Sequence, residues 1–172
     1  MAVAAALTGC SEMKDPNNGS DHAPEIREVS TAKEEARRTS SEILSIINLQ
    51  GKTSKPGPGV AACGDKPADK FYSIHHPWSL MDVPVEDMKK AMERLNEQLP
   101  KKGWKVTSYG PDTSPSKTLE LTADSLEKKS SVSIRLLDRT KRHNPGAPEA
   151  LIYVDLTSEC FQVPAGKTVD EY

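Results

Sequence analysis

The strongest constraint in this sequence is a change of period at Gly103. Before it, Val85, Met88, Met92, Leu95 and Leu99 recur in steps of three and four, the repeat of one helical face. After it, one face of the chain takes every second residue in four successive runs: Trp104, Val106 and Ser108; Leu119, Leu121 and Ala123; Val132, Ile134 and Leu136; and Ile152, Val154 and Leu156. Polar or Pro/Gly-rich connectors separate these runs, as in an antiparallel meander with one wet face. A helix with one apolar stripe and a sheet with one apolar face bury both by packing together. The expected fold class is α+β: a mostly antiparallel sheet of about five strands, a helix packed on one face, and an additional N-terminal helix.

The fifth strand is expected from Lys70 to Trp78, rich in aromatics, with Pro77 pushing it to the sheet edge or marking its end. Pro84 opens the helix that follows, and Pro100 stops it ahead of Lys101-Lys102-Gly103, which suits the carbonyl end of a helix dipole. The N-terminal helix is expected from about Pro24 to Leu49. Ile26, Val29, Ala32, Ala36, Ile43 and Ile47 share one face, with Ser40 filling a gap. Pro24 suits its first turn, and Gly51 the position just past its end. Gly51 to Gly59 reads as a loop by composition.

The chain has 172 residues, of which 35% are hydrophobic, and a formal net charge of -2. A near-neutral balance gives no global electrostatic case for nucleic acid. The apolar deficit is concentrated in Ser11 to Ala23, which carries turn formers and charges but almost nothing to bury. Residues 10–23 are therefore expected to be a disordered polar tether. A single domain spans 24–164, with 165–172 as a C-terminal tail. No run of 18 apolar residues predicts a transmembrane helix.

Ahead of the tether, Met1-Ala-Val-Ala-Ala-Ala leads into Leu7-Thr8-Gly9-Cys10. This run resembles the lipobox of bacterial lipoproteins. With the polar spacer, Gly103-Trp104 after a helix, and the closing Ser158-Glu159-Cys160-Phe161-Gln162-Val163-Pro164, the chain resembles small cell-envelope lipoproteins of the actinobacterial kind. The resemblance implies a diacylated Cys10, cleavage before it, and a domain held by lipid at the extracytoplasmic face of the cell membrane. No Lys or Arg precedes Cys10, and the apolar run is only Ala2 to Leu7, so residues 1–9 read as a truncated signal-peptide remnant. The resemblance also accounts for an odd cysteine count: with Cys10 carrying lipid, Cys63 and Cys160 are left to form a disulfide. The parity of the last strand, continued, turns Cys160 towards the core. The alternative is two buried free thiols in a cytosolic chain.

No reaction is legible. His75 and His76 are adjacent on a strand and point to opposite faces, so they cannot chelate one metal together. His22 and His143 lie elsewhere, no Cys/His spacing matches a zinc site, and neither metal nor cofactor is expected. No serine sits in a Gly-x-Ser-x-Gly setting, and no catalytic residue is assigned. Gly51-Lys52-Thr53 looks like the end of a phosphate-binding loop, but Ile46 stands where that motif needs glycine. The aromatics from Phe71 to Trp78 could line a pocket with Trp104, or simply fill the core. Arg139, Lys141 and Arg142 form a basic loop that could meet anionic polymers or lipid headgroups, or could be a solvated hairpin tip. The expectation is a non-catalytic domain that binds an envelope protein or ligand. The alternative is an anchored or secreted enzyme acting on envelope material.

Overall fold

A computed structural model of the chain describes residues 23–54, 56–140 and 149–169. Cys10, the leader remnant, nearly all of the tether, and Lys141 and Arg142 lie outside the described residues. The elements run β1 (Glu25–Ile26), α1 (Val29–Ile47), β2 (Lys52–Thr53), β3 (Gly59–Ala62), β4 (Phe71–Met81) and α2 (Val85–Gln98). A turn of 3-10 helix (Leu99–Lys102) leads to β5 (Lys105–Pro111), β6 (Leu119–Ser125), β7 (Ser130–Asp138), β8 (Ala150–Ser158) and β9 (Phe161–Gln162).

The fold is α+β, but the sheet is larger than expected and mixed. Among the described residues nine strands take part, in the order β1-β9-β4-β8-β7-β6-β5, with β2 and β3 added along the other side of β4. The expected meander is present as β5 to β8. The extra strands are pairs of two to four residues, too short to leave a periodic signature. Gly51 to Gly59, expected as a loop, contributes β2 outright and starts β3. Glu25-Ile26, expected in the first helix, instead pairs in parallel with Phe161-Gln162, which makes the sheet mixed.

Alternation puts Tyr72, Ile74, His76, Trp78 and Leu80 of β4 on one buried face, continuous with Leu121, Ala123, Val132, Ile134, Ile152, Val154 and Leu156. Both helices lie on that face, α1 over β4 and α2 over β7 and β8, and they also pack on each other. Met88, Ala91, Met92 and Leu95 of α2 are fully buried there, as the three-four spacing requires.

β4 lies inside the sheet, not at its edge. It pairs with β8 over His75–Met81 and with β9 over Phe71–Tyr72, while β3 and β2 take its other side at 72–75 and 80–81. Pro77 is tolerated because its missing N–H falls in the gap between β3 and β2. Ser79, two residues on and so facing the same side, donates its N–H to Ser54 Oγ at 2.8 Å.

α1 begins at Val29 and ends at Ile47, with Asn48 in the left-handed conformation (φ 47°) capping it in place of the expected Gly51. Gly51 serves another purpose: a Cβ there would lie 2.5 Å from the Met81 carbonyl oxygen, so only glycine lets β2 approach the end of β4. Arg94 of α2 donates to the Ile47 carbonyl, satisfying a terminal acceptor of α1. At the other end, Arg27 pairs with Glu25 and Glu35 and stacks over the Phe161 ring at 4.3 Å. Lys129, reaching from the β6–β7 turn, pairs with Glu25 at 3.1 Å. Hydrogen bonds from Arg27, and then Lys129, hold the Glu25 carboxyl below the usual carboxylate range.

A bulge between Val106 and Ser108 shifts the register of β5. Ser108, expected on the face of Trp104 and Val106, is thereby turned away, and Tyr109 comes to stand opposite Leu121. Cys63 and Cys160 form the expected disulfide, with Cα atoms 5.9 Å apart across 97 residues of sequence. The parity that was to carry Cys160 into the core does not continue, because the chain breaks step between β8 and β9. Phe161 and Val163 take the buried positions, and Cys160 is half-buried. Residues 165–169 return over the domain: Lys167 pairs with Glu28 at 2.8 Å, and the Val169 N–H donates to the Asp69 carbonyl.

Closing a loop of this length by a disulfide is worth about 4.7 kcal/mol in the chain-entropy treatment. The double variant Cys63→Ser, Cys160→Ser is expected to unfold at clearly lower urea than the oxidised protein. An unchanged midpoint would contradict a structural role for the bridge.

Tyr72 is fully buried and donates its hydroxyl to the Arg27 carbonyl at 2.8 Å. Burial pushes its ionisation up from 10.0 to about 12. Between those values the unfolded chain loses the phenolic proton while the folded chain keeps it. This contribution to stability is whole below pH 10 and is lost as pH rises towards 12. Denaturation across that range is expected to show a fall that Tyr72→Phe diminishes, and an equal fall in both proteins would assign it elsewhere.

Candidate functional site

Two polar residues interrupt otherwise apolar faces, and the fold brings them together. Ser40 occupies the gap in the buried stripe of α1, and His76 stands on the inward parity of β4, where its neighbours are Ile74 and Trp78. Ser40 is 5% exposed and His76 9% exposed, so neither can rely on water for its hydrogen bonds. Ser40 Oγ lies 2.8 Å from His76 Nδ1, and His76 Nε2 lies 3.1 Å from the Pro56 carbonyl oxygen. A carbonyl only accepts, so Nε2 donates to it, and in the neutral ring Nδ1 accepts from the Ser40 hydroxyl. One imidazole thus ties helix, sheet and the segment between β2 and β3 into a single unit.

The same three elements border an open cleft of about 260 Å³. α1 contributes Arg37, Ser40, Ser41 and Leu44, and β4 contributes His76 and Trp78. Thr53, Ser54 and Pro56 close the third side. Most polar groups here are committed within the chain. Ser41 donates to the Arg37 carbonyl at 2.9 Å, Ser54 Oγ accepts from Ser79, and Ser40 and His76 hold each other.

Three polar side chains of the described lining, those of Thr53, Trp78 and Arg37, make no hydrogen bond or ion pair among the described residues. Trp78 is 5% exposed, yet its Nε1 is buried without a hydrogen-bond partner. Leaving such a donor unsatisfied costs about 1–3 kcal/mol. Arg37, exposed at the cleft, forms no ion pair among the described residues and is the one charged side chain of the described lining.

The Ser40–His76 pair resembles a nucleophile with its base, but the surroundings differ from those of an acyl-transfer site. Ser40 lies within α1, where the neighbouring backbone N–H groups belong to the helix ladder and cannot form an oxyanion hole. The far nitrogen of His76 meets a carbonyl, where a catalytic triad places a carboxylate to stabilise the imidazolium. The pair acts as a structural joint, beside a cleft whose one described charge is Arg37.

His75, on the outer face, is exposed and has Thr157 Oγ1 at 3.2 Å and Asp155 at 3.8 Å, so the two histidines are separated by the sheet as expected. Among the described residues, no group of three or more His, Cys, Asp or Glu side chains could hold a metal ion. Trp104 is buried in the core and is not among the described residues that line the cleft. Arg139 lies with Lys89 and Lys117 around a second, more polar concavity of about 410 Å³. Lys89 there is paired with Glu86 at 2.7 Å, and Asp138 shares the lining. No helix among the described residues is long and apolar enough to cross a membrane.

In the sequence Ser40 stands as a gap in a helical stripe and His76 as half of a histidine pair, and nothing local marks their meeting. The available signal was that each is a polar residue at a position its element buries. If the pair is what joins α1 to β4, Ser40→Ala strands His76 Nδ1 without a donor and costs about 1–3 kcal/mol. Thermal unfolding is expected to record that loss with the secondary structure unchanged, and a wild-type melting temperature would show that the bond carries no stability. No protein-family model, curated protein or solved structure matches this chain, so its function rests on the geometry of the cleft.

Proposed function

We propose that this chain is a cell-envelope lipoprotein, anchored through Cys10 at the extracytoplasmic face of the membrane, whose folded domain is a binding module. The observation that carries the anchor is the pairing of Cys63 with Cys160, which leaves Cys10 as the single cysteine outside a disulfide bond. A long-range disulfide also suits an oxidising compartment. A diacylated cysteine supplies two hydrocarbon chains, the number that stable anchoring requires. Arg139, together with Lys141 and Arg142 beside it in sequence, is assigned to contact with anionic headgroups or polymers.

Binding is favoured over catalysis because Ser40 and His76 stand without the other parts of a reaction centre. The second reading, an enzyme acting on envelope material, draws its support from the Ser40–His76 bond at 2.8 Å. The setting of Ser40 within a helix weighs against it.

Metabolic labelling with an alkyne fatty acid tests the anchor, with the gene expressed from its own locus in its own host. Label is expected on the wild-type protein and on Cys63→Ser, and is expected to vanish in Cys10→Ala. An unlabelled wild-type protein, or label that survives in Cys10→Ala, would overturn the anchor.

A further inference from the structure

We infer that the free edge of β3 is a docking site for an extended, acidic segment of a partner protein, added to the sheet as a further strand. The inference deepens the binding-module reading and rests on it. Its test reads the β3 edge and not the lipid, so failure here and failure of the anchor are distinguishable.

The parity of β4 shows which groups of β3 are free. Ile74 donates its N–H to Ser158 Oγ, on the β8 side, while Ser79 donates to Ser54 Oγ, on the β2 side. Odd-numbered residues of β4 therefore turn their backbone groups towards β2 and β3. Of the β3 pairs, Ala61 with Ser73 and Gly59 with His75 are then the hydrogen-bonded ones. Val60 and Ala62 point their N–H and C=O groups away from the sheet, where they meet no partner among the described residues. Both residues are exposed. A strand laid alongside finds a donor and an acceptor at each, spaced as a ladder requires.

The other open edges are blunted. β5 carries Lys105, the bulge between Val106 and Ser108, and Pro111. β1 and β2 are two residues each and carry Glu25 and Lys52. Such devices keep edges from pairing. β3, twice as long as those two, has none: Gly59-Val60-Ala61-Ala62 contains no charge, proline or bulge. It is also held in place, by buried Pro58 at its start and by the Cys63–Cys160 bridge at its end. An edge fixed before binding loses little freedom on pairing.

Charge selects the partner. Val60 stands opposite Ile74, so its side chain lies on the helix-facing side of the sheet, where it is 39% exposed. The flank of α1 on that side holds Arg37, whose Nη2 lies 4.0 Å from the place a Cβ would take on Gly57. Lys33 stands one turn earlier on the same flank. Neither side chain forms an ion pair among the described residues. A strand added to β3 turns alternate side chains towards this flank, and acidic ones there are favoured. A second copy of the chain would bring two cationic flanks together, which disfavours self-pairing.

The probe is the blocked peptide acetyl-Thr-Glu-Val-Glu-Val-Thr-amide, with a counterpart carrying Lys in place of Glu. Binding is followed at the backbone amide resonances of the full chain. The glutamate peptide is expected to move the Val60 and Ala62 amides downfield to saturation, as new hydrogen bonds do, with the β5 amides unmoved. It is expected to bind roughly fivefold more tightly than the lysine peptide, the upper range of one exposed ion pair, and Arg37→Glu is expected to remove that preference. Ala62→Pro and Val60→Pro each delete one outward donor and no ladder bond, and both are expected to abolish binding. Val60 and Ala62 amides that ignore the glutamate peptide up to its solubility would overturn the inference, as would equal binding of the two peptides or binding that survives both proline variants. Shifts at these amides that grow with protein concentration, without peptide, would overturn it in favour of pairing between copies.

Discussion

The fold depends on the double pairing of β4. An eleven-residue strand with neighbours on both sides is fixed in register, and a shift of one residue would turn its whole inward row to the wet face. That row is Tyr72, Ile74, His76, Trp78 and Leu80, and it supplies both the floor of the core and the floor of the cleft. Its lower end packs Tyr72 against Phe161, and its upper end is closed by β2. The disulfide tethers β3, on one side of β4, to the turn before β9 on the other. The covalent link therefore reinforces the strand from which the rest of the sheet is built.

Within that row, His76 converts a packing position into a joint. A buried imidazole is costly unless both nitrogens are met, and α1 and the Pro56 segment each meet one. The helix thus contacts the sheet through Ile43 and Ile47 by burial and through Ser40 by direction. Burial alone would allow α1 to slide, whereas a hydrogen bond at 2.8 Å sets one position. Trp78, one inward position further along, receives no such partner, and the cleft opens there. Positions where a chain departs from full satisfaction are where function is sought, and this one shares a cleft with Arg37, which forms no ion pair among the described residues.

Much of this was legible in the sequence, and the boundary is physical. Long periodic segments were visible because burial of one face imposes a repeat: α2 and the strands β6 to β8 stand where period predicted them. The pairing of Cys63 with Cys160 followed from arithmetic on three cysteines together with the resemblance at Cys10. The short strands β1, β2, β3 and β9 were not legible, because two to four residues carry no period and their pairing is decided by partners far along the chain. Pro77 argued for an edge and was overruled by a gap between two short strands, which no local rule describes. The cleft was hidden for the same reason: Ser40 and His76 are 36 residues apart, and only tertiary packing makes them neighbours.

The central claim is that His76 holds α1 and the Pro56 segment against β4 through its two ring nitrogens. A nitrogen-15 NMR spectrum of the neutral His76 imidazole, assigned by His76→Gln, tests it most directly. The account predicts a ring protonated at Nε2 alone, with an Nδ1 signal displaced by the Ser40 hydroxyl and that displacement lost in Ser40→Ala. A ring protonated at Nδ1, or an Nδ1 signal that Ser40→Ala leaves unmoved, would contradict it.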